Sequence, residues 1–262
     1  MEQEKFKIVS SKKTRYILPN ILTLIGVCLG ISSIKFSIDG NYSTAVIFIL
    51  FAALLDALDG RIARLIKGTS EFGKELDSLT DFVSFGIAPA FILYFWELNN
   101  YGKVGWAITL IYSVCCVLRL ARFNLTKISE EQKWKNNFFE GVPSPAGAIL
   151  ILLPLTFDLT EYNLNYEVAK MTPYLTVFIA FLLISKTPTF SFKKISINPR
   201  LTIFILFIIC VSFLSLIFFT FQTLLFFSFL YLTSIPISSL LYFNYNKKDK
   251  NQNLEVDHED VL

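Results

Sequence analysis

Asp56-Ala57-Leu58-Asp59-Gly60-Arg61-Ile62-Ala63-Arg64, followed after a short gap by Gly73-Lys74-Glu75-Leu76-Asp77-Ser78-Leu79-Thr80-Asp81, decides how this chain must fold. Apolar sequence of membrane type runs up to the first stretch and away from the second. Carboxylates in or beside lipid are costly, so a spaced group of them is by default a functional hypothesis. On a helix, Asp56, Asp59, Gly60 and Ala63 fall at i, i+3, i+4 and i+7, a single face. Asp77 and Asp81 fall at i, i+4 and share a face of the next helix. The connection from Ile66 to Glu71, with Gly68 in it, is short enough for the two faces to meet at the membrane boundary.

Working outward, the whole composition points to lipid. Of the 262 residues 53% are hydrophobic and 17% charged, with mean hydropathy +0.54. Soluble chains carry roughly 45–50% apolar and roughly 25% charged residues. A span needs roughly 20 apolar residues. Eight runs qualify or nearly so: 17–36, 43–65, 76–96, 104–124, 144–158, 168–186, 201–220 and 222–243. The expected class is therefore an all-α integral membrane protein. The fifth run is short, and the last two are separated only around Thr220–Gln222, where a hairpin is expected. The first run is too long for a signal h-region and no small-residue cleavage site follows it, so it should be retained.

Basic residues set the orientation. All but Lys35, Lys103 and Lys170 of the 24 Lys and Arg fall on one side of the eight spans. By the positive-inside rule, both termini and the aspartate-bearing connection are cytoplasmic, in a multi-pass protein of the cytoplasmic (inner) membrane. The net charge of +3 then reflects topology and contact with anionic headgroups. No basic face interleaved with exposed aromatics suggests nucleic acid. Cys28, Cys115, Cys116 and Cys210 lie inside spans, read as small buried hydrophobes, and no CxxC is present. The single histidine, His258, lies in a polar tail (246–262) that reads as disordered. That excludes histidine-based triads and histidine-ligated transition metals.

Four converging carboxylates cannot all stay ionised unless cations neutralise them or some are protonated. Oxygen-only ligands select hard divalent ions, Mg²⁺ or Mn²⁺, with Ca²⁺ as a third candidate. A pair of such ions can clamp a phosphate, and Arg64 is placed for a phosphate oxygen. The small residues Gly60 and Ala63 let a ligand approach the helix. These features suggest phosphoryl transfer at the cytoplasmic leaflet. The rival reading is an ion-coupled transporter, but transporters place such groups near the midplane on interrupted helices. A lone Asp-x-x-Asp would be a solvated helix end; four aspartates with conforming Gly, Ala and Arg are more than that.

At these residues the chain resembles the CDP-alcohol phosphotransferase family, whose signature is Asp-x2-Asp-Gly-x2-Ala-Arg-x8-Gly-x3-Asp-x3-Asp. Asp56, Asp59, Gly60, Ala63, Arg64, Gly73, Asp77 and Asp81 match every fixed position. The resemblance implies a catalytic membrane domain over 1–190 with six core helices, two added helices over 191–245, and a homodimer. It implies that Asp56, Asp59 and Asp77 bind two divalent cations holding the pyrophosphate of a CDP-linked lipid. Asp81 would complete the metal site and act as general base. Gly60 and Ala63 would receive the cytidine nucleotide, with Arg64, Ser70 and Gly73 near the phosphates. Asn20, in Pro19-Asn20-Ile21-Leu22-Thr23, matches a family position near the nucleotide; spacing alone supports a helix N-cap equally well.

The stretch from Thr69 to Ala90 looks like the membrane-integrated phosphatidylserine synthases within that family. Relatives that use glycerol 3-phosphate carry Asp-Pro and Asp-Lys around the last two aspartates, where Ser78 and Phe82 stand here. Arg119-Leu-Ala-Arg122-Phe-Asn124 and Gly141-Val-Pro-Ser144-Pro-Ala are also similar to that subgroup. The implied substrates are CDP-diacylglycerol and L-serine, with glycerol 3-phosphate or inositol phosphate as alternative acceptors. Arg119 and Arg122 could pair with the serine carboxylate and Asn124 orient it. Positive-inside anchoring accounts for the two arginines equally well.

Overall fold

A computed structural model describes residues 14–125, 138–160, 168–190 and 202–259. Within them, each of the eight apolar runs is helical. Four helical segments among the described residues are long and apolar enough to cross a membrane: Tyr16–Ile38, Glu71–Trp96, Leu98–Leu125 and Thr220–Tyr242. The protein is an all-α, multi-pass membrane protein. Many of the basic residues that set its orientation, in 1–13, 126–137 and 191–201, lie outside the described residues.

α1 (Thr14–Ile38) and α2 (Tyr42–Leu65) form the most extensively packed helix pair among the described residues. Their connection turns at Gly40, and Asn41 caps α2 by accepting the Thr44 N–H at 3.2 Å. Lipid offers no hydrophobic drive between helices, so close packing depends on small residues. Buried Ala45 and Ala52 supply them on α2. On α1, a Cβ at Gly30 would lie 2.7 Å from Ser84 Oγ and 2.9 Å from Ser84 Cα. There α1 meets the third apolar segment almost backbone to backbone.

That third segment is one rod in three parts: α3 (Glu71–Asp81), a π-helical turn (Phe82–Ile87) and α4 (Ala88–Trp96). The π turn has a local cause. Pro89 has no N–H, so the Phe85 carbonyl lacks its helical donor. Tyr112 Oη donates to Phe85 O at 3.0 Å instead, and Ser113 Oγ to Gly86 O at 3.2 Å, both from α5 (Gly102–Leu125). Such widened turns recur at functional sites, and this one begins immediately after Asp81.

The expected span 144–158 is two helices, α6 (Ser144–Ile151) and α7 (Leu153–Asp158), because Pro154 removes the N–H that would reach Leu150 O. α8 (Thr172–Ile184) is shorter than the expected 168–186, opening with Pro173 in its first turn. Strands β1 (Phe138–Glu140) and β2 (Pro188–Phe190) pair antiparallel, Phe138 opposite Phe190 and Glu140 opposite Pro188. Three residues are too few to show an alternating pattern, so this clamp has no sequence signature.

α9 (Thr202–Phe218) and α10 (Thr220–Glu259) meet at a corner on Phe219, where the Ser215 and Thr223 hydroxyls lie 2.7 Å apart. α9 buries none of its residues. By contrast, α10 places Leu224 and Ile235 in the main hydrophobic core and packs on α7 and β2. The helix also continues to Glu259, through most of the tail expected to be disordered; residues 260–262 lie outside the described residues. No Pro or Gly follows Pro236, so each added residue extends the helix at little cost once it is nucleated.

Candidate active site

The site is built by the reversal between α2 and α3. At the end of α2, Gly68 N–H donates to Ala63 O at 2.8 Å and Lys67 N–H to Arg64 O at 3.3 Å. This is a Schellman-type stop, and it puts Lys67, rather than Gly68, in the left-handed region at φ 53°. A side chain there costs about 1 kcal/mol. Ser70 then starts α3, its hydroxyl accepting the Gly73 N–H at 2.9 Å. α3 then packs against α1, and the two aspartate faces meet through their carboxylates as the spacing predicts.

Asp56, Asp59 and Asp77 each present an oxygen, all within 4.8 Å of one another. Asp56 is also within hydrogen-bonding reach of Asp81. Asp59 is only 4% exposed, and Asp81 Oδ1 is buried with no hydrogen-bond partner. Ionised carboxylates packed this closely repel one another strongly in a low-dielectric setting. The donors are all hard oxygens, an orphaned carboxylate oxygen points to a missing partner, and the triad has the spacing of a shared ligand set. These residues fit divalent cations of the Mg²⁺ and Mn²⁺ kind.

Thr23 of α1 holds the set in place. Its hydroxyl donates to Asp59 Oδ2 at 2.6 Å, which orients that carboxylate. The Asn20–Thr23 stretch appears in the sequence, but no spacing rule ties Thr23 to a residue on another helix. Outer-shell partners typically contribute tenfold to a hundredfold in metal affinity. Thr23→Val should therefore raise the Mn²⁺ concentration needed for half-maximal activity by about tenfold. An unchanged Mn²⁺ titration would show that Asp59 needs no orienting partner.

Around the carboxylates the structure gathers the residues expected near a nucleotide. Asn20 is inside α1, which begins at Thr14, so the N-cap reading is wrong; the helix extends back through Pro19. Asn20 Oδ1 and Ser70 Oγ lie 3.2 and 3.0 Å from where a Cβ at Gly73 would be, so these three residues form one cluster. A Cβ at Gly60 would meet nothing within 4 Å. Open space therefore lies over the small face of α2. Ala63 is half-buried and Arg64 exposed beyond it.

The three candidates for acceptor binding do not converge. Arg119 is buried, donates from Nη1 to Ser144 Oγ at 2.5 Å, and lies within electrostatic reach of Asp81. Arg122 instead donates to the carbonyls of Ile184 and Ser185 at 2.6 and 3.2 Å, tying α5 to the end of α8. Asn124 donates to Ser78 Oγ at 2.9 Å, linking α5 to α3. Arg119 is thus the candidate within electrostatic reach of Asp81. Its partner Ser144 has no sequence spacing that predicts the pairing.

Residues 16–196 match the family model described as CDP-alcohol phosphatidyltransferase. A Mycobacterium leprae protein named CDP-diacylglycerol–serine O-phosphatidyltransferase is 38% identical over 188 residues, 70% of this chain and 61% of that protein. A Helicobacter pylori protein of the same name is 36% identical over 204 residues, 78% of this chain and 82% of that protein. An archaetidylserine synthase of Methanothermobacter thermautotrophicus is 33% identical over 180 residues, 66% of this chain and 70% of that protein. With the signature aspartates gathered into one cluster and the match running from α1 past α8, the chain belongs to the CDP-alcohol phosphatidyltransferase family.

Proposed function

We propose that this protein transfers the phosphatidyl group of CDP-diacylglycerol to the hydroxyl of L-serine, giving phosphatidylserine and CMP. The observation that carries the reading is the carboxylate cluster, three aspartates sharing a ligand set with a fourth, orphaned carboxylate beside them. The names of the relatives support serine as the acceptor and CDP-diacylglycerol as the donor.

In this reading Asp56, Asp59 and Asp77 hold two divalent cations, Mg²⁺ or Mn²⁺, with Asp81 completing the set. Cations held by these residues would supply neutralisation of the charge that develops on the diphosphate. Asp81 accepts the serine hydroxyl proton as that oxygen attacks the lipid-linked phosphorus. A new O–P bond forms, the P–O bond to CMP breaks, and CMP takes the electron pair. Positioning and charge stabilisation carry most of such a transfer. Asn20, Ser70 and Gly73 line the donor's path, and Gly60, Ala63 and Arg64 receive the nucleotide. Arg119 is the strongest candidate to meet the serine carboxylate.

The basic-residue bias supports a cytoplasmic-membrane protein with both termini and this site on the cytoplasmic side. The family resemblance supports a homodimer whose catalytic part spans 1–190, with α9 and α10 as additions.

The open space over Gly60 gives a test in which stability and activity separate. Gly60→Ala should stabilise α2 by about 0.5–1 kcal/mol, since alanine is the better helix former. It should also raise the KM for CDP-diacylglycerol by narrowing the nucleotide's seat. A raised melting temperature with an unchanged donor KM would remove Gly60 from the binding surface. The function itself is tested by following CMP release with serine, glycerol 3-phosphate or inositol phosphate. Serine is expected to drive release, and release with another acceptor alone would overturn the assignment.

A further inference from the structure

Arg119 is 8% exposed, and among the described residues no carboxylate lies within salt-bridge distance of it. Its place in the fold follows from contacts on either side of it. Earlier in α5, Tyr112 Oη donates to Phe85 O at 3.0 Å, and a Cβ at Gly86 would lie 3.1 Å from Cys116 Sγ. Further along, Asn124 Nδ2 donates to Ser78 Oγ at 2.9 Å. α5 therefore runs antiparallel to the rod of α3 and the π turn, with Tyr112, Cys116 and Arg119 on one face. Interpolated between those fixed points, Arg119 stands within about one helical turn of Asp81 along the rod. Two buried atoms without a hydrogen-bond partner thus share one level, Arg119 Nε and Asp81 Oδ1.

What holds the guanidinium at that level is neutral. Nη1 donates to Ser144 Oγ at 2.5 Å, and the Phe123 ring centroid lies 5.9 Å from Cζ. Ser144 is fully buried at the start of α6, a helix that packs on the π turn. Pro143 and Pro145 flank it, and their fixed φ angles stiffen this first turn, so Oγ is an anchored point. A buried guanidinium is costly unless an anion completes it. A carboxylate in place of Ser144 would supply that anion and cancel the charge. A hydroxyl holds one nitrogen and leaves the charge for another partner. We propose that Ser144 is a positioning residue for the acceptor: it fixes Arg119 so that the guanidinium takes the acceptor's carboxylate while the acceptor hydroxyl meets Asp81.

This role rests on the proposed acceptor chemistry, and the experiment separates the two. Purified wild-type and Ser144→Ala proteins are compared in CMP release with serine, L-serine methyl ester, glycerol 3-phosphate and inositol phosphate. The variant loses a hydrogen bond to a charged group, so its serine KM should rise about tenfold. Its kcat and its CDP-diacylglycerol KM should stay within about twofold of wild type, as for sites that do not share the lost contact. The ester keeps the hydroxyl and amine without the carboxylate. Its kcat/KM should be well below that of serine in wild type and change by less than about twofold in the variant. Loosened packing alone would instead weaken serine and ester alike. An unchanged serine KM, an equal loss with both substrates, or a comparable rise in the donor KM overturns the proposal. If wild type uses only one of the phosphate acceptors, the serine reading fails, yet Ser144→Ala must still raise that acceptor's KM. No CMP release with any acceptor overturns both. Should Ser144→Ala fail to fold, Ser144→Cys takes its place, since a thiol is a weaker acceptor of similar shape. Its serine KM should also rise, and an unchanged value would overturn the proposal.

Discussion

Asp81→Asn is expected to lower kcat by about 10³-fold or more while leaving the protein folded and inserted. Asparagine keeps the shape of aspartate but cannot take a proton from serine. The effect on stability should run the other way. Asp81 Oδ1 is buried without a partner, and Asp56 lies within hydrogen-bonding reach. Removing one charge from a crowded set relieves repulsion in the metal-free protein. The melting temperature in chelator should therefore hold or rise as activity disappears. Wild-type turnover in purified Asp81→Asn would remove Asp81 as the base.

Chelation is the second large effect. In EDTA, turnover should fall to background, and Mn²⁺ or Mg²⁺ added in excess should restore it. Metal should also stabilise the fold, because an ion that binds only the native state adds free energy by mass action. At about a hundred times its dissociation constant this amounts to about 2.7 kcal/mol. Asp59→Asn should lose both the rescue and the metal-dependent rise in melting temperature, since the triad loses a ligand. Full activity after exhaustive chelation would end the metal-dependent account.

Much of this arrangement is legible in the sequence because helix geometry is periodic. Spacings of three and four residues are enough to place Asp56 with Asp59, and Asp77 with Asp81, each pair on one face. The short connection at Ile66–Ser70 then lets the two faces meet. Contacts between distant helices have no such rule. Thr23 reaches Asp59 and Arg119 reaches Ser144 across separations that no local pattern records. The candidates Arg122 and Asn124 show the same limit from the other direction. Their residue types suited a carboxylate, but their partners are the end of α8 and Ser78. Prolines at 89 and 154 are visible in the sequence, yet the π turn and the broken helix they accompany depend on which neighbour completes the backbone. The C-terminal helices read alike by composition, and only packing separates the partly buried α10 from α9.

The central claim is metal-dependent transfer of a phosphatidyl group from CDP-diacylglycerol to serine at these aspartates. It is tested most directly by incubating the purified protein with CDP-diacylglycerol, Mn²⁺ and labelled serine, and measuring CMP and labelled phosphatidylserine in the same samples. The two products should accumulate in equal amounts, and both should vanish in EDTA and in Asp81→Asn. CMP released without serine, or labelled lipid formed equally well without metal, would contradict the account.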